Sequence, residues 1–527
     1  MMFFLRQSDS GYVKSGLRVC IQKRGAMAKL KEWLKETEYR ILIGSDECEV
    51  TDIIYDSRKA CPGTVFLCMR GSTVDSHDFI KEVAAKGCRS IIVEKELNEL
   101  DLDETATGDL NIIRTENARV TLAMVCAARF GYPASKLSII GITGTKGKTS
   151  CSYMFRAVLE ACGHKTGVIG TNGVMIGDRH FETKNTTPDS YEINRWLSLM
   201  LEAGCEYAVM ECSSQGFKMD RTAGIIFDYG VFLNISPDHI GPLEHADFDE
   251  YLYYKSFLFR QCRTAVLNAD DEHSEDILKL SECREKKYRF SIKNRDADIY
   301  AHDMVFRTDS EFAGTEFSVS GLVRDRFRLA IPGVYNVSNV LAVITVAYDL
   351  GLPLERVKEA LVSVHIDGRS EVVYRSDSFT VIVDYAHNEI SMVNLMDTLR
   401  HYEPKRLVVV FGCGGNRSKD RRTGMGRTAA SCADFSIITA DNSRFERTED
   451  IMSDIERAFL EAGGRKDAYI KIADRREAIR YAMKNAAQGD IIAVIGKGHE
   501  DYQEENGVRH HFLDREEILK IKDELGL

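Results

Sequence analysis

Residues 144–150 read Gly-Thr-Lys-Gly-Lys-Thr-Ser, a spacing suited to phosphate chemistry. Gly144 and Gly147 let a loop close tightly, with the amides around Thr145 and Lys146 turned toward an anion. Lys148 can reach the outer phosphates of a nucleotide, and the hydroxyl of Thr149, followed by Ser150, can face a divalent cation. Strict spacing for such a loop asks for glycine where Ile142 stands, and Gly141 lies one residue early. Two further groups end apolar runs. Residues 207–210 lead into Glu211, and residues 229–233 lead through Asn234 to His239. A carboxylate suits Mg2+, and a neutral imidazole can add a ligand. Lys255 stands among Tyr253, Tyr254 and Phe257, where a lysine is ordinarily a snorkelling stem.

These groups work only if the chain positions them. Residues 137–142 read as a short buried strand. After Lys148, Met154, Val158, Leu159 and Cys162 recur at helical spacing, and Gly163 stops the helix. Continuously apolar runs mark a parallel sheet covered on both faces. Ligands of such sheets bind beyond the carboxyl ends of the strands, so Glu211 and His239 should project toward the Lys148 loop. The theme recurs four times after residue 366: 381–383 meets Asp384 and His387, 407–411 meets a glycine turn ending at Arg417, 437–440 meets Asp441, Asn442, Ser443 and Arg444, and 491–495 meets Gly496 to Glu500. This second doubly wound α/β unit has no Lys-Thr of its own. It is expected to bind a non-nucleotide substrate or to close over the first site.

The chain has 527 residues, too many for one core. The expected divisions are 27–134, 135–364 and 365–527. Within the first, Asp56-Ser57-Arg58 and Arg70-Gly71-Ser72-Thr73 are polar turns that can hold a phosphorylated ligand or stand as solvated loops. Residues 28–38 read as an amphipathic segment. Residues 285–330 read as a peripheral hairpin sheet of the middle division, and a helix opens at 332–339 and runs through Asp349. The basic residues 1–26 read as a disordered or non-native extension ahead of Met27. A net charge of -11 argues against nucleic acid or an anionic membrane as the main partner. No run approaches the ~18 apolar residues of a membrane span. The 14 cysteines form no zinc-type spacing and read as core thiols in a reducing cytoplasm.

Taken together, GTKGKTS, KNTTPDSYE, MECSSQGFKMDR, NISPDHI, VYNVSNV, DGRSE, VIVDYAHN, VFGCGGNRSKDRR, ADNSRFE and IGKGHEDYQ occur in order, with DSR around Ser57. This set resembles the Mur ligases over essentially everything after Met27. The resemblance implies three domains: UDP-sugar binding, a central ATPase with a phosphate-loop parallel sheet, and a C-terminal α/β domain. It implies an ATP- and Mg2+-dependent reaction in peptidoglycan precursor synthesis. A third amino acid is added to UDP-N-acetylmuramoyl-L-Ala-D-Glu through an acyl phosphate.

It also assigns residues. Lys148 and Thr149 would hold the γ-phosphate and Mg2+, Glu211 and His239 a second Mg2+, and Lys255 would be carbamylated. Asn336 and Asn339 match adenine-side positions, and Arg369, Asp384 and His387 match contributions to phosphate, ribose and base. Ser57, Gly71, Ser72, Asn185, Thr186, Thr187, Ser213 and Arg221 match the UDP-MurNAc-dipeptide site. Arg417, Asp441, Asn442, Arg444, Gly496 and Glu500 match the amino-acid pocket. There Arg444 can grip a distal carboxylate and Glu500 an ammonium, an arrangement that suits meso-diaminopimelate. A cytoplasmic monomer is expected. Ser443 replaces the family's proline, so the turn aiming Arg444 is expected to be less rigid. A lysine-adding or other Mur-type ligase paralogue, a phosphate-loop switch ATPase and a non-catalytic UDP-sugar sensor are the alternatives.

Overall fold

The computed structural model describes residues 27–71, 74–102, 109–238, 240–241, 244–281, 283, 285–308 and 312–527. Ser72, His239 and the 1–26 extension lie outside the described residues. The chain separates into two compact units that divide between Tyr132 and Pro133.

The first unit is built on a five-stranded sheet in the order Tyr39–Ile43, Asn111–Thr115, Ser90–Val93, Thr64–Leu67, Asp52–Ile54. Its outer pair is antiparallel and the rest are parallel. The amphipathic reading of 28–38 holds, with Leu30, Trp33 and Leu34 buried and Lys31, Glu32, Lys35 and Glu36 exposed. Only Leu30–Trp33 is helical, while Ala28–Lys29 pairs antiparallel with Glu49–Val50. A helix this short is marginal alone, and the backbone finds partners across the chain instead.

The second unit carries two sheets. The larger has eleven strands and is centred on Ser138–Thr143, which lies between Tyr207–Glu211 and Phe227–Phe232, all parallel. Alternate residues of this strand enter different cores. Ile140 and Ile142 join the cluster containing helices Lys148–Ala161 and Val334–Asp349. Ile139 packs with Trp196 and Leu197 of helix Ser190–Glu202. A sheet covered on both faces follows from that alternation. A Cβ at Gly141 would fall 2.7 Å from Leu258 and Phe227, so this glycine serves sheet packing, not the phosphate loop.

The peripheral-sheet reading of 285–330 is corrected. Lys286–Ser291 pairs in parallel with Cys262–Asn268, and the hairpins Ile299–Thr308, Ala313–Gly321 and Asp325–Leu329 extend that same sheet. Phe317 and Phe327 stack with ring centroids 5.8 Å apart, which buries the inner face of the extension. The smaller sheet has six strands in the order Glu371–Arg375, Phe379–Asp384, Asp490–Ile495, Arg406–Phe411, Phe435–Ile438, Tyr469–Lys471. All but the first are parallel, the doubly wound arrangement expected.

Candidate active site

The phosphate loop leaves the central strand at Thr143 and turns into helix Lys148–Ala161 at Gly147. Gly147 takes φ +88°, a left-handed conformation in which the missing Cβ leaves room for the Asn339 amide. The segment after the neighbouring strand holds the loop in shape. Thr145 N donates to Asn234 O at 2.9 Å, Lys146 N donates to Asn234 Oδ1 at 2.9 Å, and Ser236 N donates to Thr145 Oγ1 at 3.0 Å. Lys148 Nζ donates back to Gly144 O at 2.7 Å and Thr145 O at 3.3 Å. Burial pushes its ammonium below the usual lysine range, and Glu211 opposes that shift. The result is a concave set of amides with a cation at its lip, which can hold a polyphosphate.

Glu211 ends its strand beneath this loop and is 1% exposed. Its carboxylate accepts from Thr149 Oγ1 at 3.1 Å, Thr171 N at 3.1 Å and Thr171 Oγ1 at 2.9 Å. Burial nevertheless raises its pKa, so a cation beside it would stabilise the ionised form. Thr171 was not among the sequence candidates. Its hydroxyl lies 3.0 Å from that of Thr186. Thr187 Oγ1 donates to Glu211 O at 2.8 Å and accepts from Ser213 N at 2.9 Å, while Arg221 Nη1 donates to Thr187 O at 2.8 Å. Thus Thr186, Thr187, Ser213 and Arg221 form one cluster with Glu211, and exposed Asn185 precedes it in the chain. Ser57 and Gly71 belong to the first unit. Ser57 opens a short 3-10 turn capped by Asp56, and Gly71 N donates to Val74 O at 2.9 Å.

Lys255 sits near the end of helix Phe248–Ser256 and is 2% exposed. Its Nζ stands 4.6 Å from the Tyr251 ring centroid. Tyr251 in turn places its hydroxyl 3.0 Å from Thr145 Oγ1, which couples this helix to the phosphate loop. Burial pushes Lys255 well below the ordinary lysine pKa, and the charge on Lys148 adds to the shift. A neutral amine is the form that reacts with CO2.

Asn336 and Asn339 are buried in the first turns of helix Val334–Asp349. Asn336 Nδ2 donates to Pro332 O at 2.7 Å, and Asn339 Nδ2 donates to Asn336 Oδ1 at 3.3 Å. Asn336 thus holds the Asn339 amide, which packs beside Gly147 of the loop. On the smaller sheet, Asp384 accepts from Ser370 N at 2.7 Å and Ala386 N at 2.8 Å. Burial raises its pKa, and Arg369 opposes the rise. The Arg369 guanidinium lies 4.7 Å from the Tyr385 ring centroid, and its buried Nε has no hydrogen-bond partner among the described residues. His387 Nδ1 is 2.8 Å from Tyr385 O, and burial lowers its pKa. Tyr335 OH and Ser370 Oγ, 2.8 Å apart, join helix Val334–Asp349 to the turn before strand Glu371–Arg375.

The amino-acid candidates also converge. Glu500 accepts from Asn442 Nδ2 at 2.8 Å and Tyr385 OH at 3.3 Å. Burial raises the Glu500 pKa, against the charge of buried Lys497 at 3.7 Å. Arg444 Nη1 donates to Gly415 O at 2.7 Å, and Arg444 and Arg417 both border Gly414. The looseness expected at Ser443 is absent. Ser443 is buried, Gly415 N donates to Asn442 O at 2.9 Å, and Arg444 N donates to Glu504 O at 2.9 Å. These bonds fix Arg444 at φ +53° without a proline. Asn416 Oδ1 accepts from Phe445 N at 3.2 Å and so supports the same turn. Tyr385, Lys497, Tyr251 and Arg475 were missed by sequence reading. Lys497, lying between Gly496 and Glu500, was the one with a local signal.

Family profiles match three stretches: "Mur ligase family, catalytic domain" at residues 49–129, "Mur ligase middle domain" at 142–347, and "Mur ligase, glutamate ligase domain" at 368–498. A UDP-N-acetylmuramoyl-L-alanyl-D-glutamate–2,6-diaminopimelate ligase of Clostridium perfringens is 37% identical over 497 residues, covering 93% of this chain and 99% of its own. One from Clostridium tetani is 38% identical over 501 residues, covering 94% and 100%. A solved structure with the same enzyme name superposes with a TM-score of 0.72 at 28% identity, covering 95% of this chain and 100% of that one. A MurF ligase from Thermotoga maritima in complex with ADP shares the fold, with a TM-score of 0.54 at 17% identity over 90% and 97%. With its glycine loop, buried acid and second ligand edge in one arrangement, the chain belongs to the Mur ligase family.

Proposed function

We propose that this chain is the ATP-dependent ligase that joins meso-diaminopimelate to the D-Glu carboxylate of UDP-N-acetylmuramoyl-L-Ala-D-Glu. The observation that carries the reading is one compact unit holding both a phosphate cradle around Lys148 and an acid-plus-arginine pocket around Arg444 and Glu500. A switch ATPase or a sugar sensor needs no second pocket of that kind.

The substrate carboxylate attacks the γ-phosphorus of ATP, ADP leaves, and an acyl phosphate results. The amine then attacks the acyl carbon, and phosphate departs with one of the original carboxylate oxygens. Lys148 and the loop amides hold the phosphates, and Arg369, with its free Nε, faces the charge that develops during transfer. The hard oxygens of Thr149 and Glu211, together with His239, suit Mg2+, which when bound neutralises charge between two anions that otherwise repel. Lys255 carries a carbamate that adds an anion to this edge. Asn336, Asn339, Asp384 and His387 shape the nucleotide site. Asn185, Thr186, Thr187, Ser213 and Arg221 of the second unit bind the dipeptide end of the UDP substrate, and Ser57, Gly71 and Ser72 of the first unit serve UDP-sugar binding. Asp441, Asn442, Arg417, Gly496 and Glu500 receive the amino acid with Arg444. The protein acts as a cytoplasmic monomer. No described helix is long and apolar enough to cross a membrane.

The test is ADP release with ATP, UDP-MurNAc-dipeptide and a panel of amines. Release that needs both acid and amine, with meso-diaminopimelate preferred, is expected. ATP turnover indifferent to either would point to a switch, and UDP-dipeptide binding without turnover would point to a sensor.

A further inference from the structure

Below the amine pocket lies an ion pair with no direct part in the chemistry just described. Arg475 opens helix Arg475–Lys484, Asp514 opens helix Asp514–Leu525, and the side chains of both are fully buried. Arg475 Nε and Nη2 bond the two Asp514 carboxylate oxygens at 2.7 and 2.8 Å. The same guanidinium has donors to spare. Nη1 donates to Ala440 O at 3.2 Å, and Nη2 donates to Ile495 O at 3.0 Å. Ala440 and Ile495 are the last residues before Asp441 and Gly496, where the two loops of the pocket begin. Their strands are not neighbours, because Arg406–Phe411 runs between them, so no ladder bond joins the chain at Ala440 to the chain at Ile495, and the first backbone bond between the two segments comes further out, where Arg444 N donates to Glu504 O.

We propose that Arg475 is a positioning residue that sets the amine pocket by tying these two strand ends together. The loops meet directly above it. A Cβ on Gly496 would stand 2.7 Å from Asp441 Oδ2, and Lys497 Nζ reaches Asn442 Oδ1 at 3.4 Å. A planar fork can bridge two carbonyls and a carboxylate at once, and a lysine ammonium cannot match that geometry. A buried ion pair is weak support for stability, since a packed apolar pair does as well, so its value here lies in placing the loops. The phosphate-loop and UDP-dipeptide candidates sit on other elements, and Asp384, whose carbonyl accepts from Gly496 N at 3.1 Å, is kept in place by its own strand pairing with Asp490–Ile495.

This inference rests on the ligase reading, and its test separates the two. The KM values for ATP, UDP-dipeptide and meso-diaminopimelate are measured in the full-length protein for wild type, R475M/D514L and R475K. The double variant removes both buried charges together, so the fold is kept, as thermal melting would record. The expected result is an amine KM raised about 10- to 100-fold with the other two KM values unchanged, and a smaller diaminopimelate-over-lysine ratio. R475K, which keeps a charge opposite Asp514 but loses the fork, should show the same selective rise to a lesser extent. A wild-type amine KM in either variant, or an equal rise for all three substrates, overturns the proposal. Absence of amide product from the wild type with any amine would instead overturn the ligase reading.

Discussion

Arg444→Ala should abolish most of the discrimination between meso-diaminopimelate and L-lysine. One guanidinium nitrogen of Arg444 is engaged with Gly415 O at 2.7 Å, an anchor that aims the remaining donors into the pocket. Lysine has no distal carboxylate and would leave those donors unmatched. A lost charge-assisted bond costs about 2–3 kcal/mol in a dry site. Arg444 is only half-buried, so solvent returns part of this, leaving at least ~1.4 kcal/mol, or about tenfold in kcat/KM. Alanine at φ +53° also adds about 1 kcal/mol of backbone strain, which would lower stability for an unrelated reason. Arg444→Gly is therefore the cleaner variant, because glycine adopts that conformation freely. The assay is kcat/KM for both amines with wild type and both variants. A wild type that uses the two amines equally, or a glycine variant that keeps the preference, would refute the assignment of Arg444.

Lys148→Ala should lower turnover by at least about 10²-fold while UDP-dipeptide binding, measured by calorimetry, persists; near wild-type turnover would remove Lys148 from the phosphate site. Lys255→Ala should lose about 10²-fold or more and be partly restored by small carboxylates such as acetate, since a free acid can occupy the gap left by a carbamate; no restoration by any carboxylate would count against the modified lysine. His365 gives a pH prediction. Its Nε2 lies 3.0 Å from Asp367 and 3.3 Å from Glu371, which raises its pKa from 6.5 to about 9. A raised pKa means stabilisation that is complete below pH 6.5 and lost as pH rises through about 9. The side chain is 44% exposed, so the contribution is about 1 kcal/mol after screening. Urea melts of wild type and His365→Gln should differ by that amount at pH ~6 and coincide near pH ~10; a constant difference would exclude the titration.

The phosphate loop was legible because its information is local: a strand, two glycines, Lys148-Thr149 and a helix follow one another within a few turns of chain. The strand-end residues Glu211, Asp441 and Glu500 were legible for a related reason, since continuous apolar runs announce where a parallel strand stops. What failed was non-local. Nothing near residue 286 tells that its strand adds to Cys262–Asn268 and not to a sheet of its own, because register is decided by the partner. Tyr251 reads as one aromatic among several, yet its hydroxyl meets Thr145 across 106 positions. Arg475 and Asp514 are ordinary charged residues at helix starts until folding buries them face to face. The Ser443 expectation failed because turn rigidity was judged from proline alone, whereas Glu504, far along the chain, supplies the bond that holds Arg444.

In the proposed reaction, ATP activates the substrate carboxylate by phosphorylating it. UDP-MurNAc-dipeptide labelled with ¹⁸O in its D-Glu carboxylate, incubated with ATP, Mg2+ and meso-diaminopimelate, tests this directly by mass analysis of the released phosphate. Transfer of one ¹⁸O to phosphate for each amide formed is the predicted result. Unlabelled phosphate accompanying amide formation would contradict it, because the carboxylate oxygen would then never have joined the phosphorus.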